Sequence, residues 1–390
     1  MNLDRVEPYV TWAEIDLKAI VHNLRSLKSI TRAPARMMAV VKANAYGHGY
    51  KEVSRAALEG GADMLGVARI DEAVRLRQAG LDAPILIFGY TPPDHANLLI
   101  RHHLTQTVGS YEMAAALSEA IAGGESIRIH LKVDTGMGRL GILPDCRRFA
   151  PLGPSRFASA VDEVKAIAGL PGFELEGVYT HFASADSSNK TEAERQFEIF
   201  QEFLHDLTRA GIEFPVRHAA NSAAIIDMPE THLDMVRAGI SLYGLYPSEE
   251  VDKNRVSLRP AMALKTRIAH LKRVPAGFKV SYGLTYETNA PTTIATVPIG
   301  YADGFDRLLS SRGHMLVCGK RAPIIGRICM DQTMLEVGHI PEAGLDEEVV
   351  AFGSQRGHSI PAEEVASTIG TINYEVVSKI TERVFRRYLK

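Results

Sequence analysis

Lys42 closes a short apolar run, Met37-Met38-Ala39-Val40-Val41, and opens Ala43-Asn44-Ala45-Tyr46-Gly47-His48-Gly49. An apolar run that ends in lysine and then in turn residues reads as a buried strand delivering one amine to its C-terminal tip. Burying an ammonium group is costly unless its pKa falls or a partner is supplied. A lysine with a lowered pKa is the usual nitrogen nucleophile toward a carbonyl carbon. A lysine snorkelling at a strand end is the plain alternative, and the rest of the chain decides between them.

Polar groups recur at the ends of other short apolar runs. Lys132-Val133-Asp134-Thr135-Gly136-Met137-Gly138-Arg139 follows one, His181 ends another, Asn221-Ser222 follows a third and Arg237-Ala238-Gly239-Ile240 a fourth. Singly, each has an ordinary reading: His181 as a capped core histidine, Ser222 as a helix N-cap, Arg139 as a surface charge. An amine, two arginines, an imidazole and hydroxyl groups at corresponding strand ends instead call for an element that gathers them.

From about Arg36 to Tyr246 short apolar runs alternate with helical periodicity, the pattern of repeated βα units. The spacing predicts strands at Arg36–Lys42, Met64–Val67, Ile85–Phe88, Leu104–Val108, Ile127–Val133, Leu175–Thr180, Val216–Ala219 and Asp234–Val236. Helices such as Lys51–Glu59, Asp71–Ala79, Ala158–Ala168 and Ala193–Ala210 fall between them. About eight strand–helix units in roughly 210 residues give an α/β fold, a (β/α)8 TIM-like barrel. An open doubly wound sheet competes, but no Gly-rich dinucleotide fingerprint follows the first strand.

In such a barrel the C-terminal strand ends form the active face, so the polar groups share one mouth. The seventh and eighth loops are its usual phosphate site, where Ser222 offers a hydroxyl and Gly239-Ile240 offer backbone N–H groups. A phosphate site facing a strand-end amine points to a phosphorylated carbonyl ligand. Pyridoxal 5′-phosphate fits, as does a sugar phosphate in a lysine-dependent aldolase, and spacing does not separate them.

After Pro247 the texture changes to β-type runs separated by Gly and Pro, among them Arg267–Val274, Thr292–Pro298, Arg321–Ile325 and Glu348–Phe352. The expected division is therefore a barrel over 1–246 and a mostly β C-terminal domain over 247–390. The leading strand, about 10–15, is able to pair with the second domain in place of the barrel. An amphipathic helix starts after it at Asp16, with Leu17, Ile20, Val21, Leu24, Leu27 and Ile30 on one face.

At 390 residues, 46% hydrophobic and 23% charged, the chain has room for two such domains with substantial cores. The net charge of −2, without a basic run, gives no surface for nucleic acid or anionic lipid. Nothing approaches about 18 consecutive apolar residues, and residues 1–8 lack the basic and apolar regions of a signal peptide. Cys146, Cys318 and Cys329 are too few and too scattered for a disulfide framework or a zinc site. A cytoplasmic location without a metal is the expectation.

Six motifs then occur in a telling order: Ala39 through Gly49, Lys132 through Gly141, Val280-Ser281-Tyr282-Gly283, Ile299-Gly300-Tyr301-Ala302-Asp303-Gly304, Cys329-Met330-Asp331-Gln332 and Ile372-Asn373-Tyr374-Glu375. With them the chain closely resembles alanine racemase, the bacterial fold-type III pyridoxal-phosphate family, over almost its whole length and both domains. The resemblance implies a homodimer with shared active sites that racemises alanine by two bases. Lys42 would carry the cofactor and act as one base; Tyr282, from the other subunit, would be the opposing base. Arg237 would contact the pyridine nitrogen, with His181 linking it to Tyr282. Arg139 would hold the substrate carboxylate and the cofactor's phenolic oxygen. Tyr46, Ser222, Gly239, Ile240 and Tyr374 would bind the phosphate. Met330, Tyr301 and Asp331 would meet the amino-acid substrate, and Lys132 would be carbamylated, orienting Arg139. D-Alanine for peptidoglycan is the implied product.

Three rival readings remain. A non-catalytic pyridoxal-phosphate carrier on the same barrel would lack the second domain. Two-domain decarboxylases place a carboxylate, not an arginine, at the pyridine nitrogen. Broader-specificity or serine racemisation is the alternative that sequence leaves open.

Overall fold

The computed structural model describes residues 9–121, 124–144 and 156–390; residues 1–8 and Cys146 lie outside the described residues. The chain divides into two compact units, one of residues 20–43 and 50–259, the other of residues 1–19, 44–49 and 260–390. By contacts the first unit runs on to Arg259, and the second unit takes in the leading segment and a short piece next to Lys42.

Strand β1 (Thr11–Asp16) buries Trp12, Ala13 and Ile15 and belongs to the second unit. It pairs antiparallel with Met262–Arg267 and parallel with Phe385–Leu389. The helix Leu17–Ile30 follows at once, because the Asp16 carboxylate accepts the Ala19 N–H at 3.0 Å. Its apolar stripe of Ile20, Leu24 and Leu27 is fully buried.

Eight parallel strands form the first unit: β2 (Arg36–Val40), β3 (Met64–Val67), β4 (Ile85–Ile87), β5 (Thr105–Val108), β6 (Ile127–Lys132), β7 (Phe173–Tyr179), β8 (Val216–His218) and β9 (Met235–Ala238). They pair in the order β8-β7-β6-β5-β4-β3-β2-β9. The two ends meet through Asp234 N–H to Arg217 O and Arg237 N–H to Ala220 O, both 3.0 Å, giving a TIM-like barrel. Met38, Met64, Leu86, Val216 and Met235 fill one interior level, with Phe88 packed on them. Two residues further along β8 and β9 the same face presents His218 and Arg237, so the interior turns polar toward the strand C-termini.

The second unit is mostly β. Its strands are β10 (Met262–Arg267), β11 (His270–Val274), β12 (Lys279–Val280), β13 (Tyr286–Glu287), β14 (Thr292–Val297), β15 (His314–Val317), β16 (Lys320–Pro323), β17 (Thr333–Glu336), β18 (Glu348–Gln355), β19 (His358–Ile360) and β20 (Phe385–Leu389). A seven-stranded sheet runs β16-β15-β18-β10-β1-β20 with β19 attached to β18, and β11-β14-β17 form a second sheet. The run expected as one strand, Arg267–Val274, is therefore two. Ile268 and Ala269 hydrogen-bond to Glu347 and Thr296, which lie on different paths, and the chain changes sheet between them. A helix at Asn373–Ser378 follows Ala362–Ile369 and was not foreseen from the pattern.

Candidate active site at the barrel mouth

The strand leading to Lys42 ends at Val40, two residues before the expected Lys42. Val41 still donates to Gly66 O at 2.8 Å, and then the backbone turns left-handed. Ala43, Asn44, Ala45 and Tyr46 have φ of 52°, 53°, 52° and 50°. Such a conformation costs an L-residue roughly 1–2 kcal/mol, so four in succession persist only if neighbours over-determine them. Glu72 accepts the Ala43 N–H at 2.6 Å while its other oxygen takes Ala68 and Arg69 N–H at 2.8 and 3.2 Å. Gly49 N–H closes on Asn44 O at 2.9 Å, and Arg386 donates to Gly47 O from both Nε and Nη2 at 3.0 Å. The turn holds Lys42 half-buried and without an ion pair among the described residues. Burial and the charge of Arg139 lower its pKa, against a smaller opposing effect of Glu72.

Lys132 ends β6 with 3% of its surface exposed and donates to Val133 O at 2.7 Å. Burial, with Arg237 and Arg139 nearby and Asp134 opposing them, pushes its pKa down to about 7. Asp134 offers little as a partner, because Oδ1 accepts Gly136, Met137 and Gly138 N–H at 3.0, 2.8 and 3.1 Å and Oδ2 accepts Arg139 N–H at 3.0 Å. Those bonds shape the loop that carries Arg139, whose side chain is exposed.

Arg237 is the centre of the mouth. Only 3% exposed, it gives Nη1 to His218 Nδ1 at 2.9 Å and Nη2 to Thr180 O and Ala219 O at 2.9 Å and to His181 Nδ1 at 3.2 Å. It also lies over the Tyr179 ring, 5.3 Å from the centroid. No carboxylate pairs with it among the described residues, and burial pushes its pKa down to about 10, which leaves it charged near neutrality. Nε–H and the second Nη1–H have no acceptor among the described residues, so this fork keeps donors for a ligand. Burial, then the charges of Arg237, Arg139, Lys132 and Lys42, holds His181 well below the ordinary imidazole range. His181 is therefore neutral, accepts from Arg237 at Nδ1 and carries its proton on Nε2.

Ser222 opens the short helix Ser222–Asp227, capped by Asn221 through Ala224 N–H at 3.1 Å. Its Oγ accepts Gly239 N–H at 2.9 Å and Ser241 N–H at 3.3 Å, leaving the O–H to donate. Ile240 begins the 3-10 turn Ile240–Tyr243, where a first N–H has no partner within the turn.

The other expected residues lie in the second unit. Tyr46 and Tyr374 stand together, ring centroids 6.2 Å apart. Burial raises the pKa of Tyr46, keeping its phenol a hydrogen-bond donor. Tyr282 is 70% exposed in a turn where Ser281, Gly283 and Leu284 all have positive φ, and Ser281 Oγ donates to Arg327 O at 2.5 Å. Met330 and Tyr301 are exposed, on loops joined by Tyr301 N–H to Cys329 O and Ala302 N–H to Met330 O. Asp331 pairs with Arg383 at 2.8 Å.

Sequence reading missed Glu72, Asp134, His218, His130 and Gln196, which donates to His181 O at 3.1 Å and accepts Ala183 N–H at 2.9 Å. For β6 a signal was present: in Ile127-Arg128-Ile129-His130-Leu131-Lys132 the polar residues alternate with aliphatic ones. Among the described residues no group of three His, Cys, Asp or Glu side chains is set to hold a metal, and no helix is long and apolar enough to cross a membrane.

Comparison with known proteins covers both units. Residues 15–247 match the family model "Alanine racemase, N-terminal domain" and residues 261–388 match "Alanine racemase, C-terminal domain". The chain is 56% identical to the alanine racemase of Desulfosudis oleivorans over 381 residues, 97% of each chain. Its structure is similar to that of alanine racemase from Bacillus anthracis with bound L-Ala-P, with TM-score 0.91, 40% identity and coverage of 98% and 96%. It is also similar to histidine racemase from Leuconostoc mesenteroides, with TM-score 0.86, 29% identity and 99% coverage of each chain.

Proposed function

The chain belongs to the alanine racemase family, a family of isomerases, and on that premise we propose that it interconverts L- and D-alanine by a two-base route, with pyridoxal 5′-phosphate as cofactor. The observation that carries this reading is Arg237, a buried guanidinium whose N–H groups go to carbonyls and histidines and whose Nε–H remains for a ring acceptor. The donors fit the cofactor. Ser222 O–H and Ile240 N–H suit a phosphate, with Gly239 shaping the turn; Tyr46 and Tyr374 would join them as the family resemblance implies, and Lys42 brings an amine without an ion pair among the described residues. When bound, pyridoxal phosphate supplies an electrophilic carbon and a conjugated ring that spreads the charge left at the α-carbon.

Inverting a carbon centre needs a proton removed on one face and delivered on the other. Lys42 would hold the cofactor through its amine and would serve the D-face as a neutral base; its lowered pKa suits that task. Tyr282 of a second copy of the chain serves the L-face, in keeping with its exposure here. The His181 Nε2–H is the donor that would steady its phenolate. Arg237 holds its own proton, so it would donate to the cofactor ring nitrogen without protonating it, which would favour reprotonation over transamination. Arg139 and the Met330 backbone N–H of the second copy would receive the substrate carboxylate, with Tyr301 and Asp331 near the substrate entrance. A carbamate on Lys132 would orient Arg139.

The protein so read is a cytoplasmic homodimer that makes D-alanine for peptidoglycan; the free thiols of Cys318 and Cys329 accord with a reducing compartment. Chiral analysis of product from L-alanine, L-serine, L-lysine and L-histidine, with and without added pyridoxal phosphate, tests the reading. Fast D-alanine with slow turnover of the others supports it. Comparable rates on the others would make the enzyme broad-specificity, and no D-product from a cofactor-loaded chain would refute catalysis.

A further inference from the structure

A row of buried polar side chains runs away from the mouth through the barrel interior. Arg237 Nη1 meets His218 Nδ1 at 2.9 Å, His218 Nε2 meets His130 Nδ1 at 2.9 Å, and His130 Nε2 meets Glu176 Oε2 at 3.2 Å. Both imidazoles are fully buried. We propose that Glu176 is a remote positioning residue: it fixes the tautomers of His130 and His218 and so presents a bare nitrogen to Arg237.

The proton positions follow from the end of the row. Glu176 also accepts Thr105 Oγ1–H at 2.9 Å and lies 3.5 Å from Arg128. Burial raises its pKa, but His130, Thr105 and Arg128 outweigh that and hold it at about 2, so it is an acceptor only. His130 must then carry a proton on Nε2. Were His130 also protonated on Nδ1, His218 would have to accept at Nε2 and carry its proton on Nδ1, against an arginine N–H. A single arrangement satisfies every contact: both rings neutral, both protonated on Nε2, both bare at Nδ1. Burial and the charge of Arg237 disfavour the cationic form of His218 as well.

The backbone is built for this contact. β7 is bulged at Glu176: Ile129 pairs with Leu175 and His130 with Gly177, leaving Glu176 as the extra residue. A bulge re-aims a side chain, and here the Glu176 carboxylate is brought to the His130 ring. Gly177 clears the space, since a Cβ there would lie 2.6–2.8 Å from His130 ring atoms. Arg237 Nη2 is shared by three acceptors for two N–H groups, so losing the acceptor at Nη1 frees the guanidinium to turn and disturbs both its ligand-facing Nε and His181.

The effect on catalysis rests on the role of Arg237 given above; the tautomer assignment does not. Nitrogen-15 NMR of the full-length chain labelled in histidine, with and without pyridoxal phosphate, reads each ring nitrogen as protonated or bare, with His130→Phe and His218→Phe for assignment. We expect bare Nδ1 on both rings in the wild type, and a wild-type His218 protonated on Nδ1 would overturn the proposal whatever the variants do. Glu176→Gln can donate as well as accept, so both tautomers should coexist and kcat should fall roughly tenfold, the size of one charge-assisted hydrogen bond, with KM little changed. The Glu176 side chain is 23% exposed, so formate should reach Glu176→Ala and restore the single tautomer. Glu176→Gln with wild-type tautomers and wild-type kcat would also overturn it. Wild-type tautomers as assigned in a chain that racemises nothing support the row and remove the function, so the two ideas fail separately.

Discussion

Lys132 should take up carbon dioxide as a carbamate, and its surroundings say how readily. The reaction needs a neutral amine, which adds to the carbon of CO2 and loses one proton to leave an anion. At pH about 8 an amine with pKa about 7 is roughly 90% neutral, whereas a lysine at its ordinary value of 10.5 is about 0.3% neutral, a gain of roughly 300-fold in reactive form. The anion would also meet Arg237 and Arg139 with attraction where the ammonium met repulsion. Carbon-13 NMR of the chain in labelled bicarbonate should show one carbamate resonance per chain at pH about 8, fading as the pH falls below about 7. Lys132→Met should lack it, and CO2-free buffer should lower wild-type activity but not that of the variant. A spectrum at pH about 8 with no resonance absent from Lys132→Met would refute the argument.

The same group should make folding stability depend on pH. The folded-state pKa is lowered, so between about 7 and 10.5 the unfolded chain binds more protons and stability rises with pH. The penalty is complete below about pH 7, and the displacement from 10.5 to about 7 is worth at most about 5 kcal/mol. In urea titrations without CO2, Lys132→Met should therefore exceed the wild type in stability most near pH 6 and hardly at all near pH 10. A gap that does not change with pH would contradict the lowered pKa.

Mixing inactive Lys42→Ala with inactive Tyr282→Ala, unfolding and refolding them together, should restore about a quarter of wild-type activity, because half the dimers would then be mixed and hold one intact site; no recovery would place both bases on one chain. Arg237→Glu should raise transamination relative to racemisation and lower stability, since it sets a carboxylate against Thr180 O and Ala219 O; unchanged partitioning by product analysis would count against the ring-nitrogen role. Gly47→Ala puts a Cβ 2.2 Å from Val377 O at φ +83°, and should cost about 3 kcal/mol or more while weakening cofactor retention. A wild-type unfolding midpoint would show that the turn beside Lys42 can relax.

What could be read in the sequence was what repeats or what carries a type. The period of strand and helix located β3 to the residue and the other barrel strands to within a few, because each is a short buried run bounded by turn residues. Lys42, His181, Ser222 and Arg237 stood out because polar residues at strand ends are conspicuous, and the fold supplied a mouth to collect them. The left-handed turn at Ala43–Tyr46 was not legible, since Ala-Asn-Ala-Tyr has no glycine to announce positive φ. That conformation is imposed from outside, by Glu72 on Ala43 and Arg386 on Gly47, residues 29 and 339 positions away along the chain. Nor was the row behind Arg237 legible. A pattern of period two assigns Glu176 the same face as Glu174, and only the extra residue in β7 turns it toward His130. His130 and His218, 88 positions apart, become partners through the closure of the barrel and through the missing side chain of Gly177. The chemistry at the mouth is thus announced by residue type, whereas its orientation is set deeper, by contacts that exist only after β6, β7, β8 and β9 have come together. Substitutions along that row should accordingly change how Arg237 is held without touching a residue that faces the substrate.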